Sequence, residues 1–160
     1  KGGCVVEQEE LGKRIWEMRV SLIRLAMSIV RTPQDAEDAV SAAIVSALQR
    51  AETLRNPEKL SAWMLTITAR CCYDQLRKAK RETPVEQVEP PPLLSPQETL
   101  YDTLLTLPKP LSQVLTLYYY EGMTTGEIAR VLGIGRPAVS MRLRRGRKML
   151  KELLEEGDRA

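Results

Sequence analysis

Apolar residues recur at alternating steps of three and four positions along the N-terminal half of the chain. Because one turn of an α-helix takes 3.6 residues, this spacing places them on one face and predicts helices rather than strands. Three long helices are predicted, of which the second starts at Thr32-Pro33 and the third at Asn56-Pro57, each a cap followed by a first-turn proline. Their apolar positions are Ile15, Met18, Leu22, Leu25 and Ile29, then Val40, Ile44, Ala47 and Leu48, then Leu60, Trp63, Met64, Ile67 and Cys71.

The C-terminal half repeats the helical spacing in shorter segments. The run Ser95-Pro96-Gln97-Glu98 has the form of a capping box and predicts a short helix that ends at Leu107. After a break at Pro108-Lys109-Pro110, a further helix is predicted to end near Gly122. No segment suggests a sheet. The sequence therefore predicts an all-α fold.

The segment from Thr124 to Lys151 has the pattern of a helix-turn-helix. Thr124 and Glu127 are three residues apart and form a capping box at the start of a short helix. Gly133 is predicted to end that helix, because glycine readily adopts the left-handed conformation required there. A second helix follows, with Pro137 in its first turn. Its buried stripe is predicted at Val139, Leu143, Leu150 and Leu153.

The second helix of this motif is strongly basic. From Arg136 to Lys151 it carries seven basic residues and no acidic one, whereas an ordinary solvated helix mixes both signs. A basic amphipathic helix also suits a membrane surface, but such helices carry bulky aromatic residues on the apolar face, and this one carries Val, Leu and Met. Together with the preceding helix and glycine turn, the pattern favours binding in the major groove of DNA.

Charge divides the chain into three blocks. The net charge is +4 over residues 1–81, −5 over 82–107 and +4 over 108–160, within a chain of net charge +3. Five prolines lie between Pro84 and Pro96, and proline-rich segments form extended linkers. We therefore predict a helical domain over residues 1–81, an acidic proline-rich linker over 82–99 and a helix-turn-helix domain over 100–160.

The composition narrows the possible chemistry. The chain has no histidine and no Cys-x-x-Cys spacing, so it lacks a ready general base near neutral pH and an evident zinc site. We therefore expect no enzymatic activity, no metal and no cofactor. The three cysteines suggest no disulfide framework, and no apolar run approaches the roughly 20 residues of a membrane span. A cytoplasmic protein without membrane insertion is expected. Of the adjacent thiols, Cys72 is predicted to be more exposed than Cys71.

Four segments resemble a known family. They are LIRLAMSIVRTPQDAEDAV at residues 22–40, Trp63-Met64-Leu65 with Ile67 and Ala69, Tyr73-Asp74-Gln75-Leu76-Arg77, and LPKPLSQVLTLYYYEGMTTGEIARVLGIG at residues 107–135. On these residues the chain is similar, over about 11–154, to the extracytoplasmic-function sigma factors, the small two-domain specificity subunits of bacterial RNA polymerase. The order and separation of the segments are more specific than any one of them.

The resemblance implies how the C-terminal domain contacts promoter DNA. In the family, the second helix of the helix-turn-helix lies in the major groove of the −35 element. On this chain the expected base-reading residues are Ser140, Met141, Arg144 and Arg145, since arginine can bind guanine with two hydrogen bonds. The residues expected to bind phosphates and set the register are Arg136, Arg142, Arg147 and Lys148.

The N-terminal domain is implied to bind the −10 element. The family uses the loop before the third helix, here Leu54 to Lys59, as a pocket for an unstacked base, and the third helix tracks the strand. Asn56 has a competing role as a helix cap, and Trp63 is expected in the core. The −10 candidates are Asn56, Lys59, Arg70, Arg77 and Lys78.

Contacts with the polymerase are implied for the second helix and for the linker. The candidates on the helix are Asp35, Glu37, Asp38 and Ser41. Here the chain departs from the family, which commonly has a Gln-Glu pair and an aromatic residue where this chain has Ser41, Ala42 and Ile44. The linker resembles the family's connector, which runs through the polymerase, although its composition is equally that of a plain spacer. The implied partners are core RNA polymerase, promoter DNA, and an anti-sigma factor or other inhibitory partner.

Two other classes of function remain open at the level of the sequence. One is an ordinary helix-turn-helix regulator that binds duplex DNA as a dimer without polymerase. The other is an enzyme such as a recombinase with a borrowed DNA-binding domain. The basic N-terminal domain favours a sigma factor over the regulator, and the absence of histidine and of any predicted sheet argues against the enzyme.

Overall fold

A computed structural model describes residues 8–82 and 100–159 of the chain. Within these ranges the secondary structure is helical and contains no strand, which confirms the predicted all-α fold. Two short 3₁₀ turns, Ala51–Thr53 and Pro57–Lys59, precede the fourth helix. The helices are α1 (Gln8–Glu17), α2 (Arg19–Ile29), α3 (Pro33–Gln49), α4 (Leu60–Glu82), α5 (Leu100–Thr106), α6 (Lys109–Tyr119), α7 (Thr125–Leu132) and α8 (Arg136–Arg159).

The helices form two compact units. The first unit contains α1 to α4 and the second α5 to α8. Beyond Glu82, the acidic linker lies outside the described residues, as does the capping box predicted at residues 95–98.

In the N-terminal unit, α2 and α3 both pack against α4. The prediction of one first helix was wrong, because the chain turns at Met18 between α1 and α2. The Met18 N–H donates to the carbonyl oxygens of Ile15 at 3.0 Å and Arg14 at 3.3 Å, so the turn is tight. The Leu22 N–H donates to the Met18 carbonyl oxygen at 3.1 Å, so the helical hydrogen bonds resume at once. The three-four spacing therefore continues across the turn and conceals it.

The predicted caps of α3 and of the segment before α4 are both present. The Thr32 hydroxyl accepts the Asp35 N–H at 3.1 Å, with Pro33 in the first turn of α3. The Asn56 Oδ1 accepts the Glu58 N–H at 3.0 Å, but it starts the 3₁₀ turn that leads into α4 rather than α4 itself. Both pairs satisfy backbone donors that a helix start leaves without partners.

The cysteine prediction was wrong. Cys72 is fully buried, whereas Cys71 is only half-buried. The buried stripe of α4 passes through Met64, Thr68 and Cys72 in steps of four, so Trp63 is half-buried and Cys71 lies at the edge of the stripe. Burial raises the pKa of the Cys72 thiol to about 12 and also raises that of Cys71.

In the C-terminal unit, α6 packs against α5, α7 and α8, and every residue from Leu111 to Leu117 is buried. Of the stripe predicted on α8, Val139, Leu143 and Leu150 are buried as expected. Leu153 is 36% exposed, contrary to the prediction. The reason is length, because the 24 residues of α8 span about 36 Å and the 11 residues of α6 only about 16 Å. The last turns of α8 extend past the helices that cover its beginning.

A close contact between the Leu115 side chain and the backbone at Gly146 joins α6 and α8. A Cβ atom added at Gly146 would lie 2.8 Å from Cδ1 of the buried Leu115. Gly146 therefore lies on the packed side of α8, between Leu143 and Leu150, and lets the two helices meet closely.

Candidate nucleic-acid interface

The helix-turn-helix is built from α7, a short turn and α8. At the start of α7 the Glu127 N–H donates to the Thr124 hydroxyl at 3.2 Å, and the Glu127 carboxylate approaches the Thr124 N–H at 3.5 Å, which confirms the capping box. Gly133 ends α7 with a φ of 67°, the left-handed conformation expected there. The Ile134 N–H then donates to the Ala129 carbonyl at 3.0 Å, and α8 begins two residues later.

The four expected base-reading residues lie together on α8. Ser140, Met141, Arg144 and Arg145 are all exposed, and their spacing places them on two successive turns of one face. Met141 is 64% exposed, far more than an apolar side chain in a packed core. Val139 and Leu143, on the other side of the helix, are buried. The core thus fixes α8 and leaves its polar face open.

Arg136 and Arg147, two of the expected phosphate-binding residues, share one side of α8. They are eleven residues apart, which is about three helical turns, or some 16 Å along the axis. Arg136 faces the start of α7, because a Cβ atom added at Gly126 would lie 2.9 Å from its Nη2. Arg147 faces the end of α6. Of the other two phosphate candidates, Lys148 is exposed and Arg142 is half-buried.

Two tyrosines at the end of α6 hold the Arg147 side chain. The Arg147 Nε–H donates to the Tyr119 hydroxyl at 3.0 Å, and the guanidinium carbon lies 4.8 Å from the centroid of the Tyr118 ring. This cation–π distance is within the usual range. The hydrogen bond to Tyr119 raises the pKa of Arg147 above its ordinary value. Tyr119 itself is 49% exposed.

Sequence reasoning missed both the tyrosines and Gly126 as parts of this surface. The sequence did contain a signal for the tyrosines, because three tyrosines follow one another at residues 118 to 120, at the end of an otherwise apolar helix. For Gly126 it was a glycine inside the first turn of a helix, where glycine disfavours helix formation and so calls for a spatial reason.

In the N-terminal unit, the −10 candidates occupy two places. Asn56 and Lys59 are exposed on the segment before α4, and Arg70, Arg77 and Lys78 are exposed along α4. Asn56 acts as a cap, so its Oδ1 is engaged by the backbone. Arg77 forms an ion pair with Asp74, one turn earlier. The structure does not show these five side chains converging on one site.

An unexpected contact ties this segment to α1. The Arg14 Nη2 donates to the Pro57 carbonyl at 3.2 Å, across 43 residues of sequence. Arg14 therefore holds the backbone beside Asn56 in place. No local sequence signal indicated it, because the contact depends on how α1 packs.

The expected polymerase contacts lie on the first half of α3. Glu37, Asp38 and Ser41 are exposed, and the Gln34 side chain donates to Asp38 at 3.0 Å. Asp35 is half-buried and lies 3.5 Å from the Gln75 Nε2, so it also faces α4. One turn beyond Ser41, Val45 is 55% exposed. The outer face of α3 thus passes from acidic to apolar.

No group of three or more His, Cys, Asp and Glu side chains that could hold a metal ion occurs within residues 8–82 and 100–159. In the same part of the chain, no helix has the length and apolar character needed to cross a membrane.

These observations define a helical DNA-binding protein with a basic helix-turn-helix in one unit and a separate four-helix unit. Comparison with known proteins identifies the family. Residues 17–82 match Sigma-70 region 2, and residues 97–150 match Sigma-70, region 4.

Curated relatives agree. The chain is 31% identical over 150 residues to RNA polymerase sigma factor SigV of Bacillus subtilis, and the match covers 90% of each protein. It is 33% identical over 139 residues to ECF RNA polymerase sigma factor SigM of Mycobacterium tuberculosis, and this match covers 83% of this chain and 71% of that one. The chain therefore belongs to the sigma-70 family, within its extracytoplasmic-function class. It is an RNA polymerase sigma factor, which directs core polymerase to promoters by recognition of the −35 and −10 elements.

Solved structures show the same fold. One is the sigma factor RpoE in complex with the anti-sigma factor NepR from Bartonella quintana, with a TM-score of 0.73 at 23% identity, covering 89% of this chain and 95% of that one. Another is CnrH in complex with the cytosolic domain of CnrY, with a TM-score of 0.64 at 24% identity, covering 94% and 91%.

Proposed function

We propose that α8 reads the −35 element through Ser140, Met141, Arg144 and Arg145. The observation that carries this assignment is the exposure of all four on one face, while Val139 and Leu143 anchor the opposite side. Base edges in the major groove are read by side chains that project from such a helix. Arg144 and Arg145 each have the two-pronged donor that guanine accepts, and the exposed Met141 side chain suits the methyl group of thymine.

In this proposal the phosphates are bound by Arg136, Arg142, Arg147 and Lys148. They lie beside or beyond the reading face, and the first turn of α8 contains no acidic residue. Phosphate contacts position a protein on DNA without reading sequence, so their loss weakens binding to all promoters alike. The side of α8 with Arg136 and Arg147 also faces the start of α7 and the end of α6, which adds polar groups to the same edge.

The N-terminal unit binds the −10 element and the polymerase. On the segment before α4, Asn56 and Lys59 are exposed to the DNA. Along α4, positive charge for a single DNA strand comes from Arg70, Arg77 and Lys78. On α3, the exposed Glu37, Asp38 and Ser41 followed by Val45 form the polymerase-binding surface, with Asp35 at its edge. Where the family commonly has an aromatic residue this chain has the half-buried Ile44, and the exposed Val45 lies next to it.

An inhibitory protein partner belongs to the same proposal, and its support is the solved complex of RpoE with NepR. The chain offers apolar surface for such a partner at the turn between α1 and α2, where Trp16 is 62% and Val20 60% exposed. We place the protein in the cytoplasm, where its polymerase and promoters are, and we assign it no catalytic activity of its own.

Run-off transcription with purified core polymerase and a pool of bacterial promoter fragments tests the proposal, together with a titration of core binding. We expect this protein to bind core and to yield transcripts from a subset of promoters. Failure to bind core, combined with tight binding to duplex DNA alone, would contradict it and favour a polymerase-independent regulator.

A further inference from the structure

The Arg147 guanidinium is held by two contacts, unlike the side chains around it on the open face of α8. Its Nε–H donates to the Tyr119 hydroxyl, and its plane lies near the Tyr118 ring. Among the described residues, Arg144, Arg145 and Lys148 are exposed on the same helix, and none of the three has a hydrogen bond or ring contact from another element. A long side chain ordinarily loses conformational freedom when it grips a ligand, and the two tyrosines impose much of that loss in advance.

The hydrogen bond also determines which donors remain available. A guanidinium has five N–H donors in a fixed plane. Tyr119 uses the one on Nε, which leaves the four on the two terminal nitrogens, the pair that can bind a phosphate in a bidentate manner. Arg147 is itself exposed and Tyr119 half-exposed, so this terminal pair is accessible to a ligand.

We infer that Tyr119 is a positioning residue for DNA binding, which orients the terminal nitrogens of Arg147 toward a backbone phosphate of the −35 element. This inference rests on the proposed function of α8. Tyr119 acts through Arg147 and reads no base. Its contribution is therefore the same for every promoter sequence and disappears when Arg147 is absent.

Charge supports the assignment. The Tyr119 bond stabilises the protonated guanidinium, and Arg147 and Arg136 lie on one side of α8 beside the reading face. A phosphate backbone that follows this side meets a cation near each end, and the cation at Arg147 is held in place by the two tyrosines.

A double-mutant cycle tests the inference, with the full chain bound to core polymerase and promoter duplexes selected by the wild-type holoenzyme. Tyr119→Phe keeps the ring and removes the acceptor. We expect it to weaken binding about fivefold, equally on matched and mismatched −35 sequences. Arg147→Ala is expected to reduce the slope of log affinity against log salt by about 0.9. In the Arg147→Ala background, Tyr119→Phe should change affinity by less than about twofold.

Tyr120→Phe is the matched control. It removes a hydroxyl from the same helix end, but its ring packs edge-on against Tyr101 with centroids 5.5 Å apart, whereas the rings beside Arg147 are those of Tyr118 and Tyr119. We expect its promoter affinity to equal that of the wild type. Thermal unfolding of each variant separates a binding effect from a loss of folded protein.

Three results would overturn the inference: an unchanged affinity of Tyr119→Phe, an equal loss with and without Arg147, or a loss at only one base position. The wild-type titration reports separately on the function on which it rests. If the wild-type holoenzyme showed no promoter selectivity, the proposed role of α8 would fail. If the wild-type holoenzyme were selective and Tyr119→Phe bound with unchanged affinity, only the positioning role of Tyr119 would fail.

Discussion

The Arg136 guanidinium lies so close to Gly126 that a Cβ atom added there would be 2.9 Å from its Nη2. Gly126 is in the first turn of α7 and Arg136 is the first residue of α8, so the starts of the two helices meet at this point. The side chain fits only because position 126 has none. The contact therefore connects the sequence of α7 to the placement of a proposed phosphate-binding residue on α8.

We predict that Gly126→Ala weakens promoter binding several-fold without loss of stability. Alanine favours a helix over glycine by up to about 1 kcal/mol, but its methyl group displaces the exposed Arg136. Gly12→Ala is a suitable control, because nothing lies within 4 Å of a Cβ atom at that helical position. Holoenzyme affinity for promoter DNA and urea unfolding would be measured for both. Equal affinities would show that Arg136 contributes nothing from its present position.

Thr124→Ala should destabilise the C-terminal unit. The Thr124 hydroxyl accepts the Glu127 N–H, and removal of an N-cap side chain costs about 0.5–2 kcal/mol. Thr106→Ala removes a hydroxyl that donates to the Thr103 carbonyl near the end of α5 and caps no helix start. Denaturant unfolding of the two variants compares these roles. A loss no larger for Thr124→Ala than for Thr106→Ala would contradict the importance of the capping box.

The buried thiol predicts a pH dependence of stability. The pKa of Cys72 is raised by burial from 9.0 to about 12, so between these values the unfolded chain releases a proton that the folded chain keeps. Stability then falls as pH rises, with a limiting slope of about 1.4 kcal/mol per pH unit from this group. Cys72→Ala should lower stability at neutral pH but show a shallower decline from pH 9 upward. Parallel curves for the two proteins would contradict the burial of Cys72.

Core polymerase binding should depend on the apolar end of the α3 surface. Val45→Glu places a charge one turn beyond Ser41, and we expect a loss of affinity for core of about tenfold, equivalent to about 1.4 kcal/mol. Val20→Glu makes the same change at an equally exposed valine on α2. Titration of labelled core compares the two variants. Equal losses, or none from Val45→Glu, would move the polymerase contact away from this part of α3.

Local sequence signals predicted the helix starts well. Thr32 and Thr124 act as caps, and Gly133 ends α7, because each of these functions depends on residues within four positions. Helical spacing likewise located most of the core of α8. The turn at Met18 went unnoticed because it keeps the apolar residues of α1 and α2 in phase.

What the sequence did not predict depends on contacts between elements. Cys71 and Cys72 are neighbours, and the orientation of α4 against α2 and α3 decides which of them is buried. The hydrogen bond of Arg147 to Tyr119 spans 28 residues, and that of Arg14 to Pro57 spans 43. The basic residues of α8 predicted Arg147 as a cation on the DNA side. No local pattern indicated its contact with Tyr119, because that contact depends on how α6 packs against α8.

The most direct test of the account is the base preference of Arg144→Ala and Arg145→Ala holoenzymes on a promoter library randomised at the −35 and −10 elements. Each good arginine–guanine contact contributes about 1–3 kcal/mol of discrimination. We predict that each variant loses preference at one position of the −35 element and keeps the wild-type preference at −10. Unchanged −35 preferences, or a uniform loss across all positions, would contradict the claim that α8 reads the promoter through this face.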